Sequence, residues 1–139
     1  MGSRREGRII AFQTLYRYDF TAEPLERLLD FSWLGAEKSA ELSPQVKSFA
    51  QLIISGTMQN LEEIDKKIGD FLEHWDFARV AKVDLANLRI SVFSLLYMQD
   101  IPASVTIDEA VDIAKEFGTD DSYRFINGVL DSINRSLKK

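Results

Sequence analysis

Residues 83–99 read VDLANLRISVFSLLYMQ. Leu85, Leu88, Val92, Leu95 and Leu96 recur at helical spacing, and apolar residues cover so much of the helix that it has little polar face left. Such a helix belongs at the centre of a domain, wrapped by others. This stretch sets the fold class, all-α, and the rest of the chain is read outward from it.

On the N-terminal side, NLEEIDKKIGDFLEHW (60–75) is amphipathic through Leu61, Ile64, Ile68, Phe71, Leu72 and Trp75. Before it, LSPQVKSFAQLIISGTM (42–58) opens with Ser43 as a cap and Pro44 at the first helical position. Its apolar side is Val46, Phe49, Ala50 and Ile53, and Gly56 is expected to weaken its end. EPLERLLDFSWL predicts a helix starting near Pro24 that carries Leu25, Leu28, Leu29 and Trp33. Ile9, Phe12, Leu15 and Tyr16 place a first helix up to about Asp19. On the C-terminal side, DIP breaks the chain at Pro102. Thr106 with Glu109 then reads as a capping box, and Gly118 as a C-cap. TDDSYRFINGVLDSINRSL supplies the last helix. No stretch alternates like a strand, so the expectation is one compact all-α domain of about seven helices over residues 1–139, in which residues 1–3 read as a disordered start or a cloning remnant.

The chain has 139 residues, no cysteine, one histidine (His74) and a net charge of −5. Without cysteine, disulfides, thiolate metal sites and a cysteine nucleophile are excluded. One histidine supports neither a metal cluster nor a catalytic triad, and His74 reads as a surface residue. No glycine-rich phosphate loop is present. The carboxylates at Glu62, Glu63, Asp65 and at Asp108, Glu109, Asp112 open helices, where the dipole favours acids. The expectation is a binding protein, with no enzymatic activity, cofactor or metal. No apolar stretch approaches the roughly 18–20 residues of a membrane span, and the cysteine-free composition fits a bacterial-type cytosol.

The charge is uneven. Residues 1–18 hold four arginines and one glutamate, and Arg135, Lys138 and Lys139 close the chain, so both ends are basic and residues 19–134 carry −11. If the first helix continues back to Arg4, then Arg4, Arg5 and Arg8 share an arc of about 100°. Such a cluster suits the phosphates of one RNA strand, and three contacts give a log–log salt slope near −2. Glu6 among the arginines and the helix-weakening Gly7 make binding by this chain alone modest.

Two stretches carry a family resemblance: RREGRIIAFQTLYRYD at the start, and the long series from Val83 to Asp131. The series contains Asp84 to Arg89 (acidic-x-x-x-L-R), DIP, Val105 to Ala110, AKEFG (114–118) and DSYRFINGVLD (121–131). Together they resemble the transcription antitermination factor NusB family. The resemblance implies a seven-helix domain binding single-stranded boxA RNA of ribosomal operon leaders. It does so with NusE, a small-subunit ribosomal protein, within the RNA polymerase antitermination complex. It also implies an RNA-facing set of Arg4, Arg5, Arg8, Gln13, Tyr16, Asp121, Phe125 and Asn127. The partner-facing set is Asp84, Glu73, Asp76 and Phe117, an acidic surface suited to a basic ribosomal protein.

The residues leave several roles open. Tyr16 reads as core with its hydroxyl at the surface. Phe125 is either a wall of the core or an exposed stacking platform. Asp121 reads as a cap of the last helix or an acceptor for base amino groups, and Gly128 as a helix-packing position. The rival from another class is a helical protein-binding scaffold without specific RNA binding.

Overall fold

The computed structural model describes residues 2–72 and 76–137. Eight α-helices are present among them: α1 Gly2–Thr21, α2 Leu25–Leu29, α3 Ala36–Glu41, α4 Pro44–Gln59, α5 Leu61–Asp70, α6 Lys82–Tyr97, α7 Ala103–Phe117 and α8 Ser122–Leu137. Two 3-10 turns, Ser32–Leu34 and Phe77–Arg79, complete the order, and no strand occurs among the described residues. Glu73, His74, Trp75, Lys138 and Lys139 lie outside the described residues.

Helix α6 is the axle. Eleven of its residues, Leu85 through Leu95, are buried, and α1, α4, α5, α7 and α8 all pack on it. One apolar cluster gathers side chains from every helix except the short α3.

Small residues set the closest approaches. A Cβ at Gly56 would sit 2.1 Å from the Phe93 ring, and one at Gly7 would sit 3.0 Å from Phe49. Gly56 therefore does not end its helix, which continues to Gln59. Instead it lets α4 and α6 meet. Gly128 is the reverse case: it is exposed with open space around the missing Cβ, so it is not a packing position.

Local signals were followed in part. Ser43 caps α4 as expected, its Oγ accepting from the Val46 N–H at 3.2 Å, with Pro44 first in the helix. The segment after Pro24 is not one helix. It stops at Leu29, where the Asp30 carboxylate accepts from the Ser32 N–H at 2.8 Å. Phe31 then turns left-handed (φ 59°), held there by full burial of its ring. The turn and α3 that follow raise the helix count above seven.

The capping box at Thr106 is absent. Pro102 (φ −55°) opens α7 at Ala103, its carbonyl accepting from Val105 and Thr106 N–H. Thr106 is consequently inside the helix and buried, and Glu109 is free to turn toward α1. Gly118 does close α7, its N–H donating to the Ala114 carbonyl.

Candidate nucleic-acid interface

The opening arginines lie on one helix but have three different surroundings. Arg8 is in the middle of the arc, one turn before Phe12 and two before Leu15, on the stripe that packs inward. It is 1% exposed; its Nη1 donates to Ser94 Oγ at 3.0 Å, and its guanidinium lies 5.6 Å from the Phe49 ring centroid. Burial lowers its pKa, opposed by the charge of Glu109. Arg8 is thus a core residue here, out of reach of a surface ligand, and the expected three-arginine clamp is corrected on that point.

Arg5 leans the other way, toward α7. It pairs with Glu109 at 3.2 Å and makes a short bond to Asp112. The Asp112 hydrogen bond is the main cause of its raised pKa. Arg4 is exposed, and its guanidinium lies 5.9 Å from the centroid of the same Phe49 ring.

At the far end of α6 the 3-10 turn Phe77–Arg79, the first turn of α6 and the start of α8 enclose a pocket of about 200 Å³. It is lined by Arg79, Val80, Asp84, Asp121, Ser122 and Phe125, among others. Asp84 is half-buried, and burial raises its pKa while a hydrogen bond from the Ser122 hydroxyl works to lower it. Asp121 directly precedes α8, its carbonyl accepting from the Phe125 N–H at 3.3 Å, and its exposed side chain pairs with Arg124 at 3.5 Å. Phe125 is half-buried with its ring against the core. It is a wall of the core that also lines the pocket.

The family model described as the NusB family matches residues 5–135. The transcription antitermination protein NusB of Treponema pallidum (strain Nichols) is 50% identical over 133 residues, covering 96% of this chain and 93% of its own. The Geobacter sulfurreducens protein is 42% identical and covers 99% and 97%. Among solved structures, T. maritima NusB superposes with a TM-score of 0.83 at 38% identity, covering 95% of this chain and 90% of its own. A chain in a crystal structure of antitermination factors NusB and NusE in complex with dsRNA does so at 0.86 and 26%, covering 98% of each. The chain belongs to the NusB family. It is accordingly a transcription antitermination factor and not an enzyme. No helix among the described residues is long and apolar enough to cross a membrane.

Within this NusB fold, the two expected residue sets do not separate into two patches. Asp84 of the partner set shares its pocket with Asp121 and Phe125 of the RNA set. Phe117 of the partner set packs tilted against Phe12, ring centroids 5.3 Å apart, and shares a groove of about 590 Å³ with Gln13 and Arg5. Asp76 is exposed and caps its turn by accepting from the Ala78 N–H at 3.2 Å, while Glu73 lies outside the described residues. Asn127 is exposed on α8. Tyr16 is not core: it is 40% exposed and meets Phe20, 63% exposed, edge-on at 5.0 Å.

Two structural roles escaped the sequence reading. Arg89 is an internal ion-pair hub, bidentate to Asp65 at 2.8 and 2.9 Å and bonded to Asp19 at 3.0 Å. Arg79 stands at the rim of the Asp84 pocket. A lone arginine in the middle of a largely apolar helix was the available signal for Arg89. Arg79 had none.

Proposed function

We propose that this chain acts as a single domain, residues 1–139, in the cytoplasm. There it binds single-stranded boxA RNA of ribosomal operon leaders together with NusE, and so helps RNA polymerase read through terminators. The observation that carries this reading is the likeness, across nearly the whole of both chains, to a protein crystallised with NusE and RNA. In this reading the exposed Arg4, Arg5 drawn from its pairs with Glu109 and Asp112, and the Phe125 pocket supply the phosphate and base contacts.

With Arg8 buried, two phosphate contacts remain at the N-terminus, and the salt slope of the isolated protein softens to about −1.4. NusE adds the remaining surface. Fluorescence anisotropy with labelled boxA and scrambled RNA, at two salt concentrations and with or without NusE, tests this. The expected result is a preference for boxA that NusE tightens and an Arg4→Ala/Arg5→Ala variant weakens.

The internal pairing of Arg5 and the acidic body favour one rival, a protein-binding scaffold. It predicts equal affinity for both RNAs, or none, even with NusE present.

A further inference from the structure

Two cations share one ring where α1 crosses α4. The guanidiniums of Arg4 and Arg8 lie 5.9 and 5.6 Å from the centroid of Phe49. Both are within the roughly 6 Å at which an aromatic ring attracts a cation. The two arginines also stand one helical turn apart, where like charges repel. The Arg4 charge accordingly helps to lower the pKa of Arg8, behind the larger effect of burial. Arg8 cannot retreat, because it is buried and donates to Ser94 Oγ. Arg4 can, because it is exposed. The nearby α7 carboxylates, Glu109 and Asp112, are taken by Arg5. The Phe49 ring is what draws Arg4 back.

The ring is held in place by α1 itself. Phe49 is half-buried and packs on the core. A Cβ at Gly7 would lie 3.0 Å from its ring, 3.2 Å from the Val46 carbonyl oxygen and 3.4 Å from the Ala50 nitrogen. A side chain at position 7 would therefore press α4 and its ring away from α1. Gly7 weakens the helix by itself, yet it lets the two backbones close and brings one ring within reach of both arginines.

The mode of holding matters. A carboxylate holds a guanidinium by consuming its N–H donors, as Asp112 does with Arg5. An aromatic ring attracts the cation without accepting those donors, which stay available for a phosphate. An arginine restricted before binding also loses less rotamer freedom when the ligand arrives.

Building on the RNA reading above, we propose that Phe49 is a positioning residue for RNA binding, its ring holding the Arg4 guanidinium against the repulsion of Arg8 and ordering it for a phosphate. Phe49 itself touches no RNA in this arrangement; it acts through Arg4.

The test is anisotropy on the full chain with NusE and labelled boxA RNA. Phe49→Leu should weaken binding by about 2- to 5-fold, the worth of an exposed cation–ring contact. Its salt slope should stay at the wild-type value, because Arg4 still neutralises its phosphate once bound. Arg4→Ala should instead reduce the slope by about 0.7. In the Arg4→Ala background, Phe49→Leu should cost nothing further. Replacing Phe49 by mono-, di- and trifluorophenylalanine keeps the ring's shape while draining its negative face, so affinity should fall stepwise along the series. That arm stands if Phe49→Leu folds poorly.

Wild-type affinity in Phe49→Leu, a flat fluorinated series, or an equal loss in the Arg4→Ala background each overturns the proposal. Phe49 is then a packing residue only, and RNA binding stands. Absence of RNA binding by wild-type protein with NusE overturns the RNA reading and this proposal with it.

Discussion

Replacing Arg89 by methionine should strongly destabilise the domain. The Arg89 side chain is 7% exposed and joins three helices, α6 to Asp65 on α5 and Asp19 on α1. Burial works against its charge, but the hydrogen bonds and charges of Asp65 and Asp19 more than offset this and raise its pKa. Methionine fills similar space and removes three charge-assisted bonds. Two carboxylates remain, 10% and 25% exposed, with no counter-charge.

Removing one partner of a buried pair costs about 3–5 kcal/mol. The wetter Asp65 puts this case near 3 kcal/mol, a large share of the roughly 5–15 kcal/mol that holds a domain together. With a urea slope of about 1.5 kcal/mol per molar, the midpoint falls by about 2 M. Urea titration followed by circular dichroism measures it. Adding Asp19→Asn and Asp65→Asn should recover part of the loss, because the stranded charges are then gone. A midpoint within about 0.5 M of wild type, at unchanged slope, would refute the reasoning and show that the triad is solvated.

Arg8→Met should leave stability within about 1 kcal/mol, since an apolar side chain replaces a buried charge that has no carboxylate bonded to it. Arg8→Ala should lose about 2–5 kcal/mol through the cavity. Neither should change the salt slope of RNA binding, which thermal melts and anisotropy check together. Asp112→Asn frees Arg5 from a pair that is partly exposed on both sides. RNA affinity should then rise by up to about five-fold, given the roughly 0.2–1 kcal/mol of such pairs. Asp84 has a folded pKa raised above its ordinary 3.8. Between these values the folded state binds more protons than the unfolded one, so the contribution of Asp84 to stability falls as pH rises through that window. At neutral pH Asp84→Asn should therefore melt above wild type, with the gain disappearing below about pH 4, as calorimetry across pH would record.

The all-α class and the central helix were legible because apolar residues cover most of the circumference of α6, a pattern that burial on several sides explains. The cap at Ser43 was legible because side-chain capping is local chemistry. For Arg8 position outweighs charge: it lies a turn before Phe12, on the same stripe as Leu15, and that periodicity places it inside. Thr106 looked like a cap because its own sequence context is good, yet Pro102 opens the helix first. Tyr16 and Phe125 depend on which neighbours cover them, and no local pattern carries that information. The pocket was illegible for the same reason, since Arg79, Asp84 and Phe125 come from three elements that meet only in the folded chain.

Helix α6 also acts as a ruler. Asp84 in its first turn borders one candidate contact region, and Ser94 near its last turn anchors Arg8 and thereby the start of α1. Ten residues separate them, an axial offset of about 15 Å at 1.5 Å per residue. Because this helix is packed on all sides, the offset does not stretch. A strand that touches both regions must cover it, which takes about four stacked nucleotides at 3.4 Å each. Shorter oligonucleotides will occupy one end or the other, and affinity should step upward with length where both are first reached.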